Sequence, residues 1–315
     1  MRKGTWSMLL VVIAAAGLLV FTTCTNGNAP ENGPEEPFSF PGVLITINAA
    51  GDSFTMGDDT YGPNPPTGIT QTISYNFKMS KTEVTNAQFQ EFTDGGGYSN
   101  DSYWTTDGIE QRDFNNWTQP AFWDDTDFNG SDQPVVVVSW YEAVAFCNWL
   151  SDKEGLTQAY DTSGEATLTA TGYRLPTEVE WEYAAAKGAS TESERIYAYG
   201  DTMICANVVC SVIPCNASHT APVGSKSPAG DTPQGLADMS GNVCDWCSDN
   251  SEDNVSVSGG TDRYNFVDDQ TATEFVLRGG AWITSSERFF RGAYRGVNWG
   301  PHSRFRDFGF RVVRP

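Results

Sequence analysis

Three segments of the chain space their apolar residues as helices do, and each begins with two side chains that can cap a helix. The pairs share one spacing: Thr85 with Gln88, Ser139 with Glu142, and Thr177 with Glu180. In such a pair, each side chain satisfies a free backbone N–H group of the other residue. We therefore predict helices that begin after residues 85, 139 and 177, the first ending at the glycines 95–97 and the third at Gly188.

The second helix has an apolar face on which Cys147 lies beside Phe146 and Leu150. We expect Cys147 to be a small buried hydrophobic residue. Strand-like runs occur at 43–47, 135–138, 275–277 and 309–313, separated by segments rich in Gly, Pro, Asn and Asp. Because strands and helices do not alternate regularly, the pattern disfavours a doubly wound parallel sheet and predicts an α+β fold with much irregular structure.

The N-terminal part has the layout of an export signal. Two basic residues precede an apolar run at 8–21, which is followed by Thr22, Thr23 and Cys24. This layout is typical of a secretory signal peptide, although such a run can also be a membrane-spanning anchor. The residues before Cys24 resemble a bacterial lipoprotein processing site, to which Phe21 is a looser fit. We therefore expect a signal peptide at 1–23, lipidation of Cys24, a flexible tether at 24–40 and a domain at 41–315.

Charge narrows the classes of partner. The net charge is -21 over 315 residues, and the isoelectric point is near 4.3. Binding to phosphate backbones needs a basic face, so we expect no nucleic-acid partner. With the lipid anchor, the expected location is the bacterial cell surface, as an outer-membrane lipoprotein that meets the membrane only through its lipid.

Seven motifs occur in a fixed order: GDSFTMG at 51–57, EVTNAQF at 83–89, VSWYEAVAFCNWL at 138–150, YRLPTEVEWEY at 173–183, GLADMSGNVCDW at 235–246, LRGGAW at 277–282 and GFRV at 309–312. With these motifs the chain resembles the sulfatase-modifying-factor family, whose founding member oxidises a sulfatase cysteine to formylglycine. The resemblance covers nearly the whole predicted domain. It implies a variant of the C-type-lectin fold, which agrees with the α+β pattern.

The founding oxidase of that family holds copper(I) with two cysteines that follow the Gly-Gly pair. The matching positions here are Thr284 and Phe289, and no cysteine follows Cys247. A hydroxyl group and a phenyl ring cannot replace two thiolates, so we expect no copper and a protein that is not an enzyme. Iron-dependent sulfoxide-synthase relatives need a histidine cluster, whereas this chain has only His219 and His302.

Basic and aromatic residues are concentrated at the C-terminal end. Eight of the 19 Lys and Arg residues lie at 278–314. Part of this segment matches recurring framework positions of the family, which we expect to lie in the core or to pair with buried acids such as Glu178, Glu180 and Asp245. The framework positions are Arg278, Trp282, Arg291, Arg295, Arg304, Phe310 and Arg311.

The residues between these positions follow no apolar period, and they resemble the variable region of proteins diversified by retroelements. Those proteins have the same fold, so the resemblance implies a diversified region at 278–311 that binds a protein or a host-surface ligand. Arg and large aromatic residues also dominate binding hot spots. The alternatives are a non-diversified sensor or adhesion module and a formylglycine-generating oxidase. The predicted ligand-binding residues are Thr284, Ser285, Ser286, Phe289, Phe290, Gly292, Tyr294, Val297, Asn298, Trp299, His302, Ser303, Phe305, Arg306 and Asp307.

The resemblance further implies a structural calcium ion at the loop 238–245. Its ligands would be the carboxylates of Asp238 and Asp245 and the backbone carbonyls of Gly241 and Val243, all oxygen atoms as calcium prefers. A second calcium site of the family aligns with 207–215, where no acidic residue stands. We therefore expect one calcium site.

Five cysteines lie in the same part of the chain: Cys205, Cys210, Cys215, Cys244 and Cys247. An exported protein meets oxidising conditions, so we expect disulfides among these residues, with the pairing open and one cysteine left over. A zinc site that includes Cys244 and Cys247 is the alternative.

Overall fold

The computed structural model of this protein describes residues 40, 42–57, 69–189, 192–251, 259–266, 274–295 and 297–315. The predicted signal peptide and the predicted lipidation site at Cys24 lie outside the described residues. The segment Phe38–Pro315 forms one compact unit. In these described ranges, no helix has the length and apolar character needed to cross a membrane.

All three predicted capping boxes are present, at Thr85, Ser139 and Thr177. The α-helices are α1 (Asn86–Asp94), α2 (Thr106–Asn115), α3 (Trp140–Lys153) and α4 (Glu178–Glu182), and a π-helical turn, Tyr183–Lys187, continues α4 up to Gly188. Helix α2 was not predicted, because its apolar pattern is weak and its Phe114 is 84% exposed.

Short strands make up three small sheets. The strands are β1 (Leu44–Ile47), β2 (Asp52–Met56), β3 (Ile69–Ile73), β4 (Phe77–Ser80), β5 (Cys244–Asn250), β6 (Gly260–Thr261), β7 (Phe275–Arg278), β8 (Val297–Trp299), β9 (Phe308–Gly309) and β10 (Val313–Arg314). Their orders are β1-β4-β10, β2-β3-β6 and β8-β7-β5-β9. The runs predicted at 43–47 and 275–277 are therefore strands, whereas the C-terminal run is divided between β9 and β10.

The strand predicted at 135–138 is wrong. Its four valines are buried, but Val137 has a positive φ of 59°, which a β-branched residue rarely adopts. The backbone groups of Val137 bond outside any sheet: its N–H donates to the carbonyl of Phe305 at 3.0 Å, and its carbonyl accepts from Nε of Arg304 at 2.9 Å. The C-terminal segment thus takes the bonds that a neighbouring strand would have made.

The core surrounds α3, which is buried on nearly all sides. Phe146 of α3 stacks on Phe89 of α1, with ring centroids 5.5 Å apart, and meets the edge of Phe310 at 5.4 Å. Cys147 is fully buried with a free thiol, as predicted. Phe310, three residues before β10, therefore joins the C-terminal end of the chain to the two helices.

Candidate functional site

Four arginines of the C-terminal segment are paired with carboxylates in the interior. The pairs are Arg278 with Glu182 and Glu178, Arg295 with Glu178 at 2.9 Å, Arg304 with Glu142 at 3.0 Å, and Arg311 with Asp245 at 2.7 Å. We call these arginines and their carboxylate partners the arginine frame. The prediction that Glu178 and Asp245 serve as partners is confirmed, whereas Glu180 pairs with Arg174 at 2.6 Å.

One end of the arginine frame contains more acids than bases. Burial raises the pKa of Glu182 to about 7, although the charge of Arg278 opposes this shift. Burial and the charge of Glu178 raise the pKa of Asp249 to about 7. Asp249 accepts the backbone N–H of Glu178, and Arg278 donates to the carbonyl of Tyr294. Hydrogen bonds and ion pairs therefore tie the C-terminal segment to α4 and to the end of β5.

Several predicted ligand-binding residues lie at least partly on the surface of the same segment. Trp299 and Phe305 are each 41% exposed, and their ring centroids lie 4.7 Å apart. Phe305 also packs on buried Phe308 at 5.1 Å. Ser285, His302 and Arg306 are exposed, while Ser286, Asn298, Ser303 and Asp307 are half-buried.

The two positions that match the copper ligands of the founding oxidase are Thr284 and Phe289, and both contact other residues of the domain. The hydroxyl of Thr284 accepts the N–H of Ala281 at 3.1 Å, and its carbonyl accepts the N–H of Ser211 at 3.2 Å. The ring of Phe289 meets the edge of Tyr294 at 4.9 Å. A hydroxyl group and two rings do not fit the needs of copper(I), which prefers thiolates.

Two predicted ligand-binding residues are corrected by their burial. Phe290 is fully buried in a small cluster with Tyr197, Val208 and Cys210. Gly292 is buried against Ala186, where an added Cβ would come within 3.1 Å of the alanine side chain. Phe290 is the last residue of the 3-10 turn Glu287–Phe290, and its carbonyl accepts from the buried hydroxyl of Ser240 at 2.8 Å, which holds this end of the turn inside the domain. Val297 lies on β8, and its side chain is outside the described features.

A loop that the sequence reasoning missed faces the C-terminal segment. Residues 115–125 and Arg304 line a pocket of about 500 Å³. The guanidinium of Arg304 lies 4.6 Å from the ring centroid of Trp117, and that of Arg306 lies 4.2 Å from the ring of Phe122. Trp117, Phe122 and Trp123 follow no helical or strand period, so periodicity does not reveal this loop. The sequence feature that indicates it is the density of aromatic residues in an otherwise polar stretch.

The predicted calcium ligands lie in a buried acidic region. Oδ2 of Asp238 accepts the N–H of Gly224 at 2.5 Å, and Oδ2 of Asp245 accepts from Nε of Arg311 at 2.7 Å. Oδ1 of Asp245 is buried with no hydrogen-bond partner among the described residues, and the buried carboxyl group of Glu83 lies beside that of Asp238. Burial and the charge of Asp238 raise the pKa of Glu83.

This surplus of buried carboxylate oxygens fits a hard cation such as calcium. No three acidic, His or Cys side chains of the described chain converge as an ion site by themselves. The backbone carbonyls of Gly241 and Val243 would therefore have to complete the ligand set around Asp238 and Asp245.

The cysteine prediction is correct in part. Cys205 and Cys215 form a disulfide, whereas Cys210, Cys244 and Cys247 are buried free thiols. Three positions apart on β5, Cys244 and Cys247 point to opposite faces and belong to different core clusters. They can neither pair with each other nor share a zinc ion, so the alternative of a zinc site at this pair is wrong.

The fold and these motifs define a domain of the sulfatase-modifying-factor class. The model of the "Sulfatase-modifying factor enzyme 1-like domain" matches residues 36–315, and the chain belongs to this family. Among solved structures, it is similar to Treponema denticola variable protein 1, with a TM-score of 0.66 and 26% identity over 89% of this chain and 99% of that one. The predicted α+β, C-type-lectin-like fold is confirmed.

Several relatives are named as enzymes. The formylglycine-generating enzyme of Streptomyces coelicolor is 29% identical over 85% of this chain and 88% of its own length. The hercynine oxygenase of Mycobacterium tuberculosis is 33% identical over 54% of this chain. The chain spans only 37 to 57% of the length of the three hercynine oxygenases that it matches.

These relatives correct the expectation that the protein is not an enzyme, which is wrong. That expectation rested on two missing copper thiolates at Thr284 and Phe289. Missing ligands for one metal bear on one chemistry and do not decide whether a family member is catalytic.

Titration of the buried carboxyls predicts how stability depends on pH. The pKa values of Glu182 and Asp249 rise from 4.5 and 3.8 to about 7 on folding, so each group holds its proton longer in the folded chain. Their contribution to stability is fully present below the unfolded pKa values of 4.5 and 3.8, and it is lost as the pH rises through the folded pKa of about 7. We expect the free energy of unfolding, measured with urea, to fall between pH 5 and pH 8, and Asp249→Asn to make the fall shallower.

The exposed acid Asp124 provides the control. Asp124→Asn removes the same charge without touching the buried network, and it should leave the slope of stability against pH unchanged. Equal slopes for Asp249→Asn and the unmodified protein would contradict this account of the buried carboxyls.

Proposed function

We propose that this chain is a bacterial surface lipoprotein that binds a protein or host-surface ligand through exposed side chains of segment 278–311. The observation that carries the proposal is the exposed pair of Trp299 and Phe305, in the same segment whose buried arginines belong to the arginine frame. Side chains of this kind contribute about 2 kcal/mol or more each at binding hot spots. We call the exposed side chains of this segment, with the pair at their centre, the ligand surface.

We further propose that the ligand surface is diversified between copies of the gene. The similarity to the Treponema denticola variable protein supports this reading. So does the separation between the buried arginine frame and the exposed residues around it, because exposed residues can change without loss of the frame. A non-diversified sensor or adhesion module is the alternative. A downstream near-repeat of the DNA for 278–311 that differs only at adenines, beside a reverse transcriptase gene, would separate the two.

The proposed location and partners rest on the N-terminus and on charge. Lipidation at Cys24 would leave the domain outside the membrane on a tether, with membrane contact through the lipid alone. A net charge of -21 disfavours nucleic acid as a partner. We also propose calcium at Asp238 and Asp245 as a structural ion, and no copper at Thr284 and Phe289.

The ligand surface can be tested by removing its central pair. We expect the double variant Trp299→Ala, Phe305→Ala to lose binding to every protein that the unmodified chain binds on an array of purified extracellular proteins. Its melting temperature should fall far less than that of Arg278→Met, because breaking a buried pair costs about 3–5 kcal/mol. Glu91→Gln, an exposed change on α1, is the control. Retained binding, or unfolding of the double variant, would show that the pair is not a ligand contact.

Calcium binding can be tested through stability. A ligand at about 100 times its dissociation constant stabilises a folded protein by about 2.7 kcal/mol. We therefore expect calcium to raise the melting temperature and a chelator to lower it. Asp238 has a positive φ of 57°, which asparagine also tolerates, so Asp238→Asn should remove the calcium response without distorting the loop. Identical melting curves with calcium and with the chelator would rule the site out.

The anchor is tested by Cys24→Ser. We expect this variant to remain unlipidated and to leave the membrane fraction, because the hydroxyl cannot carry the thioether-linked lipid. Radiolabelled palmitate incorporation and membrane fractionation measure both effects. A serine variant that stays in the membrane uncleaved would instead indicate a signal-anchor helix.

A further inference from the structure

The pocket between residues 115–125 and Arg304 has a volume of about 500 Å³, within the range of small-ligand sites. We propose that this pocket binds a cationic side chain, arginine or lysine, presented by a peptide segment of the protein ligand. The inference rests on the proposed function, because Arg304 belongs to the segment that carries the ligand surface. It specifies the chemistry of the group that the protein ligand presents, and it adds loop 115–125 to the residues that would contact that ligand.

The rings of the pocket already hold guanidinium groups of the chain itself. Arg304 lies 4.6 Å from the ring centroid of Trp117, and Arg306 lies 4.2 Å from that of Phe122. A cation over an aromatic face gains about 0.5–1 kcal/mol at exposed sites and more when it is desolvated. Phe122 remains 53% exposed despite this contact. Open ring area is therefore left for a cation from another molecule.

The charges of the pocket favour a cation over an anion. Asp124 and Asp125 line it, and Arg304 is the only base among its lining residues. Asp125 is already paired with Arg306 at 3.8 Å, so the carboxylate that an incoming cation would meet is that of Asp124. Nη2 of Arg304 donates to Glu142 at 3.0 Å and to the carbonyl of Gln119 at 2.8 Å, while Nε donates to Val137. An anion would find the guanidinium engaged, and it would also be repelled by a chain whose net charge is -21.

The backbone of Phe122 is an independent sign of a site. Its φ of +58° lies in the left-handed region, where a bulky residue is strained by about 1–3 kcal/mol. Strain of this size persists only where the surroundings enforce it. Here a turn in which the N–H of Asp125 donates to the carbonyl of Phe122 at 2.9 Å holds the loop. The strained backbone holds the ring of Phe122 at the pocket. Because that ring is half-exposed, its burial in the core does not explain why the strain is kept.

The test compares two neutral-capped tripeptides on the full chain by calorimetry and saturation-transfer NMR. The probes are acetyl-Gly-Arg-Gly-amide and the same peptide with citrulline, which has nearly the same shape and no charge. We expect the arginine peptide to bind at least about tenfold more tightly than the citrulline peptide, a difference of about 1.4 kcal/mol. Equal affinities, or no binding of the arginine peptide at 10 mM, a concentration of the order expected for a contact worth about 3 kcal/mol, would overturn the proposal.

Matched variants locate the binding. Phe122→Asn removes the ring but tolerates the left-handed backbone, and Asp124→Asn removes one pocket charge. We expect each variant to bind the arginine peptide about fivefold more weakly, which is of the order of the loss of a single cation–π or ion-pair contact. Glu91→Gln, which removes a charge outside the pocket, should stay within twofold of the unmodified chain, about the scatter of weak surface charges. Equal losses in all three variants would mean non-specific attraction and would refute the pocket.

The outcome separates this inference from the proposed function. If the arginine peptide binds in the pocket while Trp299→Ala, Phe305→Ala keeps all binding on the protein array, the pocket stands and the ligand surface falls. If the array binding is lost but the arginine peptide does not discriminate against citrulline, the pocket falls and the ligand surface stands.

Discussion

The C-terminal part of this fold depends on guanidinium groups that are paired with carboxylates away from water. Segment 278–311 contains little regular structure, so few backbone ladders fix its course. Arg278, Arg295 and Arg311 fix it instead, because each joins the segment to an acid on α4 or β5. Removal of one partner leaves a buried charge unpaired, at a cost of about 3–5 kcal/mol. The frame is therefore constrained in sequence, while the exposed side chains of the same segment are not.

Backbone strain occurs where this segment meets the rest of the domain. Val137 and Phe122 both have positive φ angles, 59° and 58°. The N–H of Val137 donates to the carbonyl of Phe305, and its carbonyl accepts from Arg304. The ring of Phe122 lies against the guanidinium group of Arg306. The irregular segment around Val137 and the irregular C-terminal segment thus supply hydrogen-bond partners to each other. Loop 115–125 and the C-terminal segment are also in contact with each other, on a family scaffold that in other members supports named enzymes.

Local chemistry was readable from the sequence, whereas long-range partners were predicted only where the family resemblance supplied them, as for Glu178 and Asp245. The three capping boxes, the buried Cys147 and the ends of α1 and α4 follow from short spacings that act within one turn. The valines at 135–138 misled because burial and β-propensity are the same for a strand and for a buried irregular segment. Phe290 was assigned to the surface because an aperiodic segment has no pattern that separates its inward side chains. Glu182 and Glu142, the partners of Arg278 and Arg304, lie 96 and 162 residues away from them, and no local spacing in the sequence links either acid to its arginine.

The central claim is that the arginine frame, and not the exposed side chains, determines whether the C-terminal segment folds. The most direct measurement is a display library of the full chain, randomised in one arm at Ser285, Trp299, His302 and Phe305 and in the other at Arg278, Arg295 and Arg311. Resistance of each variant to protease reports the folded fraction. The account predicts that most members of the first arm stay resistant and that nearly all members of the second are cleaved. Similar loss of resistance in the two arms would contradict it.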